Sequence, residues 1–580
     1  MIQKRLNILV VLILLVGMAI IIRLFYWQVV VSSELSSLGE RQYTSVVEIP
    51  AQRGEIRTSD GFPLASNQET FIIFVYRPQL EKPIKEIATI LAPVIGLDLL
   101  EKEPTQTITS IIENEKKIQQ IIEEKLSRPD VLWTPIVRNA NLFQKKEIEK
   151  LNLKGIGIEP TFTRSYSEAS MAASLIGFVG HDLAGNPKGY FGLEGFYELE
   201  LKGKPGVIQQ EKDATGQPIL IGQYSEQRAK RGRNLVLHLN RAIQKKVEEK
   251  LETSLKKYGA KSGEVVIMDP KKGAIIAMAS LPTYDPASFS DYDPALFKNP
   301  IISESYEPGS TFKVLTMSAA LDSKVVEPDT RCNICGKPVT IGAYTIRTWN
   351  DEYHPNLTMR EVIQYSDNIG MVFVSQKLGI EKLVEYLNRF GIGEKTGIDL
   401  EEESTSPLRL AKDWKEIDLA TASFGQGIAV TGIQMLQAVA AIANSGLMPN
   451  PQVVHQVLGD EVIAIEPKKP TRVVSPQTAQ LITDMMVNAV DNGEAKWAKP
   501  KGYSIAGKTG TSQIPVAGHY DQEKTIASFI GFAPAEEPKF VMLVKLREPE
   551  SSPWGSETAA PLWFSIAKDL FLYYGIQPED

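Results

Sequence analysis

Cysteine is almost absent from this 580-residue chain: Cys332 and Cys335 are the whole inventory. One short C-x-x-C cannot staple a body of this size, so a disulfide scaffold is excluded. The pair itself leaves three readings open: a local disulfide, two small packed thiols, or half of a structural zinc site. Zinc would need about four ligands. Histidine is also scarce, five residues scattered along the chain, and His354 is the one candidate near the cysteines. Basic residues are in no excess, since 63 Lys and Arg stand against 70 Asp and Glu for a net charge of −7. That balance leaves no electrostatic footprint for nucleic acid, and no such partner is expected. Repeats and low-complexity linkers are missing too. Long hydrophobic runs are lacking with a single exception, so at most one membrane crossing is expected.

The exception lies at the start. Lys4 and Arg5 precede LNILVVLILLVGMAIII, Leu6 to Ile22, which continues through Arg23 to Val31. The stretch exceeds the roughly 20 residues that span a bilayer. Arg23 lies near its outer end, where a long stem reaches the headgroups, and Tyr26 and Trp27 fall where an interfacial aromatic belt belongs. A cleavable signal would have a shorter apolar core and an A-x-A-like site. The expectation is an uncleaved, single-pass anchor over 6–31, with 1–5 in the cytoplasm and the rest outside, following the basic pair.

The remaining length, at roughly 100–200 residues per domain, calls for several domains, and 43% hydrophobic with 23% charged residues is ordinary for a folded body. From about 45 to 230 the texture is mixed: short alternating runs such as TFIIFVYRP, charged helical runs such as KEIEKLNLK, many glycines. From Asn234 it changes. LVLHLN alternates as a strand, AIQKKVEEKLETSLKKYG has helical spacing, and GEVVIMDPKKGAIIAMAS reads as a β-hairpin. The expected division is a non-catalytic region over 32–233 and a catalytic one over 234–580.

The catalytic region holds three short patterns. In YEPGSTFKVLTMSAAL, Pro308 and Gly309 break the chain before a helical run that starts at Ser310, and Lys313 falls on the same face. A serine hydroxyl is a weak nucleophile until a base takes its proton, and a lysine can be that base only when burial or a neighbouring cation lowers its pKa. A helix start also offers free N–H groups to an oxyanion. S-x-x-K alone is cheap, since average composition yields roughly two matches in a chain this long. It is followed, however, by Ser366-Asp367-Asn368 after the expected helix TMREVIQYS, and by Lys508-Thr509-Gly510-Thr511 after the strand-like SIAG. Ser366 can pass a proton between Lys313 and a leaving amine, and Asn368 can hold Lys313 and a substrate amide. Lys508 supplies the second cation and attracts a carboxylate. Thr509 and Thr511 offer hydroxyls to an anionic substrate, and Gly510 permits close approach on an edge strand.

S-x-x-K, S-D-N and K-T-G in this order are a known signature of penicillin-binding proteins and class A β-lactamases. Beyond the trio, the chain resembles a class B penicillin-binding protein, the monofunctional peptidoglycan DD-transpeptidase, over nearly its whole length. AQRGEIRTSDGFPLA (51–65) and GLEGFYELELKGKPG (192–206) resemble that family's pedestal elements, for which a plain turn-and-packing role is expected. GEVVIMDPKKGAIIAMASLPTYDP (263–286), ASFGQGI (422–428) and SFIGFAPAEEPKFVMLV (528–544) resemble its transpeptidase domain, the last as the partner of the strand bearing Lys508. Two departures stand out: Arg164-Ser165-Tyr166-Ser167 lacks the proline often found there, and Asp367 gives the form typical of class A β-lactamases. Neither removes a group the mechanism needs. YEPGSTFK and SDNIGM look more like the division-associated branch than the elongation branch, and sporulation-specific relatives share them.

The resemblance implies an α+β transpeptidase domain, a central antiparallel sheet flanked by helices, on an elongated pedestal (dimerisation-like) domain. It implies acyl transfer through Ser310, with the oxyanion between the N–H groups of Ser310 and Thr511, and no cofactor or metal. Its implied partners are stem peptides, β-lactams, the membrane, and a polytopic glycan polymerase with other division or elongation proteins. Rival readings are a serine β-lactamase, a DD-carboxypeptidase, and a penicillin-sensing scaffold. EEESTSPLRL lacks the Glu-x-x-Leu-Asn pattern a lactamase would use to activate water. The intact catalytic set speaks against a dead scaffold.

Overall fold

The computed structural model describes residues 2–102, 108–128, 131–183, 185–211, 224–516 and 519–579. They fall into two units, 1–53 with 202–232, and 54–201 with 233–580. In the first, the apolar run is a helix, Ile2–Phe25, that continues as a π-turn over Tyr26–Val30. Among the described residues it is the one helix long and apolar enough to cross a membrane. Its 29 residues rise about 43 Å, more than the ~30 Å hydrocarbon core. Near its end the Arg23 guanidinium lies 4.9 Å from the Trp27 ring centre, a charge and an aromatic placed together. A helix, Ser32–Tyr43, and a three-stranded antiparallel sheet of Thr44–Ile49, Gly206–Glu211 and Tyr224–Gln227 complete this unit.

The second unit contains two large sheets. One has seven strands. Pro63–Tyr76, the expected TFIIFVY strand, pairs with Trp133–Ala140 and Ile156–Tyr166, and through Ile56–Arg57 it reaches Asn234–Leu237, Val454–Leu458 and Val462–Ala464. Helix Leu142–Leu151, the KEIEKL run, starts on an Asn141–Gln144 capping box that satisfies two end donors. Three motifs distant in sequence meet here. Buried Arg164 donates to Glu194 Oε1 (2.7 Å) and to the Gly54 carbonyl (2.7 Å), and the Val179 N–H donates to Tyr166 Oη. The pedestal-like segments are therefore a packing knot, joined by a buried charge that its partners neutralise.

The other sheet organises the chemistry. Its strands are β1 (Ser262–Met268), β2 (Ile275–Leu281), β3 (Ala506–Val516), β4 (His519–Ala533) and β5 (Phe540–Arg547), in the order β2-β1-β5-β4-β3 with every neighbouring pair antiparallel. β1 and β2 form the expected hairpin, β4 is the expected partner of the strand with Lys508, and β3 is an edge. Both faces are covered, so β5 is buried at seven successive positions rather than at every second one. Alternation still sorts the side chains: Phe540, Met542 and Val544 pack with helices Arg241–Tyr258 and Ala559–Tyr574, while Val541 and Leu543 face a helical lobe. On that inner face Lys545 and Glu264 form a buried pair at 2.7 Å, with Lys545 Nζ 4.4 Å from the Tyr306 ring centre. The lobe is built around Lys313–Asp322, whose residues through Leu321 are all buried, the polar Lys313, Thr316 and Ser318 among them. Cys332 and Cys335 are bonded to each other as a disulfide, which settles the reading of the pair.

Candidate active site

Each of the three patterns lies on or beside a regular element. Gly309–Phe312 is a single 3-10 turn that leads directly into the Lys313–Asp322 helix, so Ser310 sits on the turn and Lys313 opens the helix. TMREVIQYS forms a helix over Met359–Gln364, started by a Thr358–Glu361 capping box. It stops where Ser366 adopts a left-handed backbone (φ +55°), a conformation costly for a residue with a Cβ. Asp367 then caps the next helix, Asn368–Leu378, by accepting from the Gly370 N–H at 2.6 Å. Lys508 to Thr511 lie in the edge strand β3 itself.

The three segments meet. Lys313, fully buried, donates from Nζ to the Ser366 carbonyl (2.6 Å), Asn368 Oδ1 (2.7 Å) and Ser366 Oγ (3.3 Å). Lys508, 3% exposed, donates to the same Ser366 Oγ at 3.0 Å and to Thr509 Oγ1 at 3.2 Å. Thr509 Oγ1 in turn donates to Glu494 Oε2 at 3.3 Å. One hydroxyl thus bridges two lysines, and the chain of donors ends on a carboxylate. Burial, and next the Lys508 charge, bring the Lys313 ammonium down to about 7 against the opposing pull of Asp367 and Glu494. Burial lowers Lys508 as well, with Glu494 opposing it, and burial raises Asp367.

Ser310 is half-buried and lines a cavity of about 270 Å³ together with Ser366, Asn368, Thr509 and Thr511. Gly510 is not among its lining residues. A Cβ there would lie 2.5 Å from Ser528 Oγ, 2.8 Å from Thr311 Cγ2 and 3.1 Å from the Pro308 carbonyl, so the close approach it permits is that of the serine turn onto β3. Gly425 does the same from the other side. Its φ is +82°, a Cβ would sit 2.2 Å from the Gly309 carbonyl, and its own carbonyl accepts from the Gly309 N–H at 3.1 Å. The ASFGQGI segment therefore holds the nucleophile's turn, and the Gly427 N–H reaches Glu307 Oε1 at 3.0 Å.

Several residues around the cavity carried no local signal in the sequence. Trp349 and Trp554 meet edge-to-face at 4.9 Å on its wall. Glu494 lines it from a helix end, and Gln426 lines it from the ASFGQGI loop, the one of these residues that the sequence singles out. Tertiary packing alone brings them to Ser310.

A serine on a turn, a buried lysine of lowered pKa and a polar edge strand define a serine acyl-transfer enzyme. Two family models match the chain: the penicillin binding protein transpeptidase domain over residues 263–571, just over half the chain, and the penicillin-binding protein dimerisation domain over 48–237. Stage V sporulation protein D of Bacillus subtilis is 32% identical, over 100% of this chain and 87% of its own. The probable peptidoglycan D,D-transpeptidase PenA of Neisseria meningitidis is 28% identical, over 96% and 91%. A peptidoglycan synthetase from Bifidobacterium adolescentis superposes with a TM-score of 0.72 at 25% identity, covering 93% of this chain and 98% of that one. Penicillin-binding protein 3 of Mycobacterium tuberculosis, complexed with aztreonam, shares the fold, with a TM-score of 0.68 at 24% identity over 92% and 98%. The chain belongs to the penicillin-binding peptidoglycan D,D-transpeptidase family.

Proposed function

We propose that this chain cross-links peptidoglycan stem peptides through an acyl-enzyme on Ser310. Ser310 Oγ attacks the carbonyl between the two terminal D-alanines while Lys313, as the free amine, takes its proton. The oxyanion lies between the N–H groups of Ser310 and Thr511. The proton passes through Ser366 to the departing D-Ala amine, Asn368 holds Lys313 in place, and Lys508 with Thr509 and Thr511 receives the terminal carboxylate. An amine from a second stem peptide then displaces Ser310. β-Lactams acylate the same serine because they mimic the substrate amide. The observation that carries this reading is Ser366 Oγ bridging two buried lysines beside Ser310.

The domain plan proposed is a cytoplasmic tail (1–5), an anchor (6–31), a pedestal (32–233) and the transpeptidase domain (234–580), the last two outside the membrane. The YEPGSTFK and SDNIGM stretches favour septal, division-type synthesis over elongation, and kinship with the sporulation protein makes a sporulation-specific role the second reading. The anchor helix is the proposed contact for a polytopic glycan polymerase.

Intact mass spectrometry of the full chain in detergent with penicillin tests the chemistry. A stable adduct on the peptide carrying Ser310, absent in Ser310→Ala, is expected. Rapid penicillin consumption with only a transient adduct would identify a lactamase, and no adduct a scaffold.

A further inference from the structure

Lys508 poses a problem of charge. It is buried, and its ammonium donates to Ser366 Oγ (3.0 Å), Thr509 Oγ1 (3.2 Å) and the Thr509 carbonyl (3.3 Å), none of which is charged. A buried cation without a counter-charge is costly and tends to shed its proton. Glu494 is the one carboxylate among the described residues that line the catalytic cavity. It stands one hydroxyl away from Lys508, accepting from Thr509 Oγ1 at 3.3 Å. Chemistry fixes the direction of that link. An ammonium only donates and a carboxylate only accepts, so the Thr509 hydroxyl takes from Lys508 and gives to Glu494.

Glu494 is held there by its surroundings. It follows the helix Pro476–Asn492 and the cap residue Gly493. A Cβ on Gly493 would lie 2.2 Å from the Ala489 carbonyl and 2.9 Å from the Gln364 carbonyl, so glycine lets this helix end close on the helix that leads to Ser366. Asn488 Nδ2 donates to Gln364 Oε1 at 2.9 Å across the same contact. An acid just past a helix C-terminus faces the negative end of the macrodipole, where cations are favoured. The position of Glu494 therefore runs against its own helix and answers to the cation beyond Thr509.

We propose that Glu494 is a positioning residue: it is the counter-charge of Lys508, acting through the Thr509 hydroxyl, and it keeps that ammonium available to the terminal carboxylate of the donor. The proposal rests on the acyl-transfer reading above. Burial pulls the Lys508 proton off and Glu494 opposes it. The other charges nearby are Lys313, which shares Ser366 Oγ with Lys508, and Asp367, on which His354 acts. From β4, Ile530 stands opposite Lys508 and adds no charge.

The test compares benzylpenicillin with its methyl ester, which lacks the carboxylate, on the full chain in detergent from pH 6 to 10.5. Mass spectrometry gives the acylation rate of each, and the readout is their ratio, normalised to its own low-pH plateau. Both ligands need Lys313 as the free amine, so its titration cancels, and Asp367 and His354 are common to parent and variant. The parent is expected to prefer the carboxylate and to lose that preference as pH rises and Lys508 is discharged. In Glu494→Gln, which keeps an acceptor for Thr509 and removes only the charge, the loss is expected at lower pH. On the falling limb the normalised ratio should then be roughly tenfold below the parent, the effect of one pH unit. A limb that stays within twofold of the parent at every pH, that moves upward, or that is missing from the parent overturns the proposal. Each ratio comes from one sample and is independent of the folded fraction, so a loss of stability in the variant does not blur it. Failure of both ligands to acylate the parent would instead overturn the acyl-transfer reading.

Discussion

If Lys313 is the base, the pH dependence of penicillin acylation reports its proton. At its ordinary value of 10.5, roughly one lysine in three thousand is a free amine at pH 7; lowered to about 7, about half are. Acylation should therefore rise with a limb centred near pH 7. Burial is the larger cause, but the Lys508 contribution is the one that mutation isolates. Both ammonium groups reach Ser366 Oγ, so they stand no more than about 6 Å apart. At that separation and an effective dielectric of about 20 their repulsion is about 3 kcal/mol, equivalent to about two pH units. Lys508→Met should move the limb upward by about one to two units, because a lone ammonium protonates more readily. Glu494 acts in the opposite sense, so Glu494→Gln should move it downward, by less than one unit. Second-order acylation rates with a fluorescent penicillin, from pH 5.5 to 9.5, separate limb position from the lower plateau expected of Lys508→Met. A limb that stays in place in Lys508→Met, or that moves the same way in both variants, would refute the electrostatic account.

Other outcomes follow from packing. Gly510→Ala should destabilise the chain by about 1–3 kcal/mol and slow acylation at least tenfold, since the serine turn must retreat from β3; thermal melting and penicillin labelling read the two effects. Lys545→Met leaves Glu264 buried opposite an apolar group and should cost about 3–5 kcal/mol, while adding Glu264→Leu should restore most of it; denaturant titration of the pair checks this. Replacing residues 6–31 with an unrelated apolar helix should abolish copurification with the glycan polymerase and leave penicillin labelling intact, and unchanged copurification would remove the anchor as the contact.

Much of the fold could be read from one chain. The hairpin of β1 and β2, the helices at 241–258 and 359–364, and the pairing of β4 with the Lys508 strand all follow from local periodicity or resemblance. The groups that meet at Ser366 were legible because each belongs to a short pattern with its own chemistry. Glu494, Trp349 and Trp554 were not, because nothing near them in sequence distinguishes a cavity wall from any helix end or loop. The left-handed turn at Ser366 was hidden as well, since no glycine or asparagine stands there to announce it. Gly510 shows a subtler limit. Sequence indicates that something comes close to that backbone, and only the structure identifies it as the turn of Pro308 and Thr311.

The strand Asn234–Leu237 bonds in parallel to Ile56–Arg57 on one side and antiparallel to Val454–Leu458 on the other. Polypeptide from the first tenth of the chain and from its last quarter is thus woven into one fabric. For anyone building hybrids between relatives, residue 233 is a poor crossover point: parental halves joined there must match across a shared ladder of hydrogen bonds. The same weave bears on inheritance. Segments 54–76 and 234–464 should be exchanged together or not at all, so recombinant alleles that survive selection should keep them from one parent.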